Sequence, residues 1–333
     1  MKQIINEIPV KTTNSFNANS LVIDIPDNIT SHFHGYEIND DQNLILETTK
    51  TRLLNQEAVK LNIKITSDNE SPIIFNYYFD NQDNLIEEIN IEVLDNVNAN
   101  IIFHYEALNK EQHFHYLKQS IKLNKDASLN FSTINMLNNN ATSIMKINTD
   151  VFNNSNLTYN LIDIGGNNKI SSCYGNTYNN ANNNLNVIYL GSNEDLIDTN
   201  YYYINQEPLA KCDINVQGIL LDRAKKTFRG TIKFVSGAKG SVGNELENCM
   251  MLSPDASSIS VPLLLCDEED VIGGHSASSG EINKDQLFYL MSKGLTKKEA
   301  TDLIIMSKIN PILNNINNEK IVNDIMQVIT SML

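Results

Sequence analysis

Short apolar runs separated by polar turn clusters recur along most of the chain at a nearly fixed interval. Clusters of Asn, Gly, Asp and Ser each lead into a strand-like run: SPIIFNYY from Ser71, ANIIFHYE from Ala99, ASLNFSTI from Ala127, SNLTYNLI from Ser155 and NNLNVIYL from Asn183. The anchors Ile73, Ile101, Leu129, Leu157 and Leu185 stand 28 residues apart, and after a one-residue slip the series continues through Ile214 and Val242. A fixed period of this size means units that cannot bury an apolar face alone and must stack into a continuous core. Patterns such as Val187-Ile188-Tyr189 and Leu161-Ile162-Asp163-Ile164 make the units strand-rich, so they predict a β-helix ending near Val242 rather than a helical array. An antiparallel sandwich with evenly spaced strands is the competing reading. Asn suits the turns because it tolerates left-handed backbone and bonds locally, although a low-GC coding bias would enrich it equally.

The period changes after the repeat. Asn283 to Gln286 and Thr296 to Glu299 each have the form of a capping box. Between them Leu287, Phe288, Leu290 and Met291 form a stripe at helical spacing, and Gly294 stands where a left-handed C′ residue ends a helix. A second helix is expected from Thr296 through Ile309, broken by Asn310-Pro311. A last amphipathic stretch begins at Asn318-Glu319-Lys320-Ile321-Val322.

Composition narrows the function classes. At 333 residues and 41% hydrophobic content the chain can bury a large core. A formal charge of −15 without any Lys/Arg cluster argues against nucleic acid and anionic membrane as partners. No signal-type or membrane-spanning apolar run is present, so a cytoplasmic location is expected. Cys173, Cys212, Cys249 and Cys266 are too few and too scattered for a disulfide framework and read as thiols.

The segment from His275-Ser276-Ala277-Ser278-Ser279-Gly280 to Asp285-Gln286-Leu287-Phe288-Tyr289-Leu290-Met291-Ser292-Lys293-Gly294-Leu295 resembles the C-terminal signature of the SufB/SufD family, the scaffold subunits of Suf iron–sulfur cluster assembly. Asp198-Thr199-Asn200 and Lys226-Thr227-Phe228-Arg229-Gly230 look like the "DTN…FRG" elements of the same family. The resemblance is most like SufD. It implies a mainly β protein: a right-handed parallel β-helix over 1–282, with a short N-terminal extension, then a small α-helical domain over 283–333 that docks an ATPase. The implied partners are a SufB-like scaffold subunit, or a second copy, a SufC-like ATPase and, indirectly, a cysteine desulfurase. A transient iron–sulfur cluster at a subunit interface is implied, with none permanently bound. Phe288, Tyr289, Leu290 and Leu295 are then the partner-binding residues. The long N-terminal helical extension common in SufD is not matched and Cys249 is present, so a minimal homodimeric scaffold is the alternative.

A cluster scaffold needs soft donors at an accessible surface, with occasional imidazole or carboxylate ligands. Cys249, Cys266 and His275 are the candidates for iron, sulfide or cluster contact, with His275 and Cys249 as the metal candidates. Cys249 lies past the last repeat anchor, where SufB-type scaffolds carry a cysteine, and His275 matches the family histidine placed at the SufB–SufD interface. Competing readings are a small buried thiol for Cys249, the end of the buried strand Leu263-Leu264-Leu265 for Cys266, and a solvated loop for His275. Cys173 and Cys212 read as core.

The run Asp267-Glu268-Glu269-Asp270 offers oxygen ligands but more often marks a solvated edge. His113 and His115, His104, and His32 with His34 lack any CxxC, HxxxH or HExxH companion and read as structural. With no GxxxxGK[ST], ATP hydrolysis belongs to a partner and the chain is expected not to be an enzyme. No GxSxG occurs; Gly165-Gly166 and Gly273-Gly274 fall in expected turns. A β-helix carbohydrate-active enzyme is the rival from another class, disfavoured by the lack of a signal peptide, the absence of Trp and the helical tail.

Overall fold

A computed structural model describes residues 2–11, 18–25, 29 and 35–333; His32 and His34 lie outside them. The chain winds into a parallel β-solenoid of about eight turns. Successive strands alternate between two nine-stranded sheets, one ending on Ser257–Cys266 and the other on Val271–Gly280. Side chains alternate in and out along each strand. The inward set, including Phe75, Phe103, Phe131, Leu161, Val187 and Val216, forms one continuous core.

Turn corners are built on left-handed Asn and Asp. Asn81, Asn96, Asn154, Asn180 and Asn193, with Asp126 and Asp222, hold φ between 48° and 61°, a region most L-residues avoid. The asparagine wealth therefore has a structural use. Asparagines also ladder between turns, as Asn160 donates to Asn130 and Asn186 to Asn160 (3.0 and 3.1 Å).

The 28-residue spacing is an average and not the pairing register. Ile73 pairs with Ile101 at 28, but Ile101 pairs with Phe131, Tyr159 with Leu185 and Ile214 with Glu245, spacings of 30, 26 and 31. Shifts of two keep a residue on its face because the strand period is two. The shift of three does not, so Val242 pairs with Lys211 on the outer face. Nor does the solenoid end there, since it continues through Gly280, and Gly273-Gly274 lie in that final strand rather than in a turn.

The N-terminal end of the stack is built differently. Leu44–Leu53 pairs antiparallel with Gln56–Ile65 through a turn at Leu54 and Asn55, and the two-residue strand Glu37–Ile38 pairs antiparallel with Ile73–Phe79. A separate hairpin of Lys2–Ile5 and Leu21–Asp24 accompanies apolar packing on the outer face of one sheet. There Ile5, Ile25 and Ile29 meet Ile86, Phe114, Ile144 and Ile170, and Ile8 and Ala18 meet Val261.

That N-terminal segment is clamped by the "DTN…FRG" residues. Arg229 donates to both Asp198 oxygens (2.7 and 3.1 Å) and to the Ala18 carbonyl (2.5 Å). Asn6 donates to Asp198 (2.7 Å) and Asn200 to the Glu7 carbonyl (3.2 Å).

Three helices follow: α1 (Lys284–Ser292), α2 (Lys297–Leu313) and α3 (Glu319–Met332). Asn283 caps α1 by accepting the Asp285 and Gln286 amides, and Gly294 takes φ 100° after it. Thr296 and Glu299 form the reciprocal capping box of α2, and Asn318 caps α3. Pro311 does not break α2, which runs on to Leu313. A proline inside a helix costs about 3 kcal/mol, through the lost hydrogen bond and the clash of its ring with the preceding turn. Ile312 and Leu313 beyond it are both buried, each stabilising by about 1.5–3 kcal/mol, so packing outweighs the break. Isoleucines of α2 and α3 share one apolar cluster with Ile102, Ile134, Ile162 and Ile188 on the outer face of the other sheet.

His104 is buried on that face, its Nδ1 3.2 Å from Asn76 Oδ1. Burial pushes the imidazole down from 6.5 to about 4; Asp324 opposes this and Lys320 adds to it. The folded value lies below the unfolded one, so this contribution is complete above about pH 6.5 and is lost as pH falls towards 4, at a cost of up to about 3 kcal/mol. Urea unfolding at pH 7 and 4.5 is expected to show a smaller pH-induced loss for His104→Gln than for wild type; equal losses would refute it.

Candidate functional site

Three strands make the open C-terminal end: Ser241–Met251, Ser257–Cys266 and Val271–Gly280. The last two close their sheets and are paired on one side only. The final strand, VIGGHSASSG, is short of bulk and, apart from His275, of ionisable side chains. His275 lies in this strand, exposed, and not in a loop.

Inward parity in the preceding strand places Ser241, Gly243, Glu245, Glu247 and Cys249 inside. Glu247 is fully engaged. It takes the Lys226 ammonium and the Tyr189 hydroxyl (3.1 Å) on Oε1 and the Ser260 hydroxyl (2.6 Å) on Oε2. Lys226 also donates to Ser260 (2.9 Å) and sits 5.8 Å from the Phe228 ring centre.

Two glycines make room for this interior. A Cβ at Gly218 would meet the Tyr189 ring at 1.9 Å, and one at Gly230 would meet the Glu245 carboxyl carbon at 2.3 Å. The glycine of the Phe228-Arg229-Gly230 element thus accommodates Glu245. Burial, with Glu247 beside it, pushes the Glu245 carboxyl up to about 8.

The structure does not bring the thiols and the imidazole together. His275 pairs with Glu245 and Cys249 with Ser279; four residues of strand separate them by roughly 13 Å. Cys249 is in the same strand as Val242 rather than a strand beyond it, and is 3% exposed. Burial raises its thiol above the ordinary range, with Lys226 opposing, which keeps it protonated and slow as a nucleophile. Cys266 ends the strand Ser257–Cys266, exposed; Leu263, Leu264 and Leu265 before it are only half-buried because no strand lies beyond. Among the described residues no three His, Cys, Asp or Glu groups stand together as a metal site.

Cys173 and Cys212 are core thiols, both fully buried. The acidic run forms a corner in which Glu268 accepts the Gly237 amide (2.9 Å) and Asp267 meets Lys233 (3.3 Å). His115 bonds Glu87 (2.9 Å), and His113 contacts the Asp83 carbonyl and Asn109 (3.2 and 3.0 Å), so both are structural.

Helix α1 buries none of its residues. Phe288 and Tyr289 are 74% and 59% exposed, and Leu290 and Leu295 are half-buried. Exposed apolar residues grouped in this way are a mark of a docking surface. Among the described residues no helix is long and apolar enough to cross a membrane. Glu245 and Glu247 are the residues that sequence reasoning missed, and Lys226, visible as the first residue of the Lys226–Gly230 element, carries an ion pair to Glu247 that the element did not announce. The signal for the two glutamates was their place on the same parity as Gly243 and Cys249.

Residues 77–308 match the family model described as the SUF system FeS cluster assembly SufBD core domain. The iron–sulfur cluster assembly protein SufD of Bacillus subtilis is 37% identical over 112 residues, 34% of this chain and 26% of that protein. An iron–sulfur cluster assembly SufBD family protein of Staphylococcus saprophyticus is 26% identical over 201 residues, 59% of this chain and 43% of that protein. A counterpart from Staphylococcus aureus matches to the same extent. In each case the matched segment spans less than half of the relative's length.

Proposed function

From the premise that the chain belongs to the SufBD core family of iron–sulfur cluster assembly proteins, we propose that it is a non-catalytic scaffold subunit most like SufD. The observation that carries this reading is the solenoid end, where an exposed imidazole sits on a strand with a free backbone edge. A free edge favours pairing with another strand, which here would be a SufB-like subunit, with a second copy of this chain as the alternative. His275 would then lie at the junction. Iron and sulfide are the substrates, and a cluster built there would take part of its ligands from the partner.

The exposed face of α1 fits docking of a SufC-like ATPase, whose nucleotide-driven motion would be transmitted through α2 and α3. Cys249 and Cys266 would take part only after such motion or pairing, since one is buried and both lie apart from His275. The test is anaerobic cluster assembly with the scaffold partner, the ATPase and a cysteine desulfurase. His275→Ala is expected to slow assembly at least tenfold without changing the thermal midpoint of the chain. Assembly at the full rate would refute the role.

A further inference from the structure

Far from the open end, the outer face of the sheet that ends on Ser257–Cys266 carries Lys60, Lys64, Lys118, Lys122, Lys146 and Lys233. Five of these lysines reach a carboxylate. Lys60 and Lys118 share Glu88 (3.3 and 3.2 Å), Lys64 and Lys122 share Glu92 (3.9 and 3.1 Å), and Lys233 meets Asp267 (3.3 Å). Among the described residues none pairs with Lys146.

Lys146 is half-buried, with its ammonium 5.8 Å from the centre of the buried Tyr116 ring. That distance is close to the limit of about 6 Å for cation–π attraction, so the ring encloses the ammonium more than it stabilises its charge. Burial pushes Lys146 below the ordinary lysine range. An amine partly withdrawn from water without a counter-ion gives up its proton more readily, and the free amine is the nucleophilic form.

The neighbours of Lys146 suit a small anion. It stands in register between Lys118 and Ser172 on adjacent parallel strands, which puts the three side chains on one face with strands about 4.8 Å apart. Because Lys60 and Lys118 have one carboxylate between them, a positive charge is left over beside Lys146. Such a charge raises the local concentration of anions.

We propose that Lys146 is an acylation site that takes the acyl group of a small acyl phosphate. The amine nitrogen attacks the acyl carbon, and a C–N bond forms as the C–O bond to phosphate breaks. Inorganic phosphate leaves with that electron pair, and the proton of the nitrogen passes to phosphate or water. Nothing is oxidised or reduced, and no further reactant is needed. The product is a neutral amide, so the modification removes a charge from this face. The site stands independently of the scaffold reading.

The full chain is treated with acetyl phosphate at neutral pH, and acetylation of each lysine is followed by peptide mass spectrometry. Lys146 is expected to react at least tenfold faster than the paired Lys64 and Lys122, and to lose that lead in urea, where the fold is gone. Lys118→Gln, which cancels the surplus charge beside Glu88, is expected to slow Lys146 about threefold with acetyl phosphate. Its rate with the neutral donor para-nitrophenyl acetate should not change, and circular dichroism checks that the variant is folded. Lys146 reacting no faster than Lys64 and Lys122, a lead that survives in urea, or folded Lys118→Gln reacting with acetyl phosphate at the wild-type rate overturns the proposal.

Discussion

Arg229→Ala is expected to destabilise the protein by about 3–5 kcal/mol, because it leaves Asp198 buried without its cation. Both side chains are almost fully enclosed, at 1% and 3% exposure. Burial already holds the Asp198 carboxyl above the usual carboxylate range with the guanidinium in place. The variant also removes a donor from the Ala18 carbonyl, so the N-terminal segment loses its anchor as well as the sheet its ion pair. Urea unfolding should show the lowered midpoint, and limited proteolysis should cut faster ahead of Leu21. Arg229→Met with Asp198→Leu should recover much of the midpoint, since apolar residues of similar volume often replace a buried pair at little cost. Proteolysis should remain fast in that double variant, because the Ala18 carbonyl still lacks its guanidinium donor and Asn6 keeps only the Asp198 backbone carbonyl (3.0 Å). An unfolding free energy within about 1 kcal/mol of wild type for Arg229→Ala would refute the clamp.

Lys226→Met is expected to cost a similar amount, about 3–5 kcal/mol, by a different route. Lys226 and Glu247 are both 0% exposed and face the solenoid interior, with no covering segment to yield. Removing the ammonium leaves Glu247 with hydroxyl donors alone. The damage should therefore centre on the last turns, seen as faster amide exchange in Ser241–Met251 and Ser257–Cys266 but unchanged exchange around Phe103. Pairing Lys226→Met with Glu247→Leu should restore most of the stability. Uniform acceleration across the solenoid, or no loss of midpoint, would contradict this account.

Stacked strands followed by capped helices could be read directly in the sequence, because repeat spacing and capping residues are local signals. The constant period could not, since turns that differ by two residues preserve face and leave the apolar pattern looking regular. At Ile214 to Glu245 the difference is odd, and Val242, apolar but outward-facing, passed for an anchor. Pro311 misled for a related reason: propensity is local, whereas the burial of Ile312 and Leu313 depends on a sheet far away in sequence.

The site divides in the same way. His275 was found through its motif. Asp198 and Arg229 were also visible as motif residues, but their role was not, because Asn6 reaches Asp198 across 192 residues. Glu245 and Glu247 were hidden, since acidic residues in a strand ordinarily face water, and only the register places them inside.

The two ends of the stack have opposite characters. At the start the strand direction reverses, one edge strand has only two residues, and the other carries Glu47, Lys50 and Arg52, features that discourage further strand addition. At the finish a ten-residue strand of mostly small side chains is left without such protection. A body with one adhesive end can form a pair but not a chain, because joining consumes the end that made joining possible. Under the pairing proposed above, end-to-end growth into fibres, the ordinary hazard of an open parallel stack, would stop once the two ends had met.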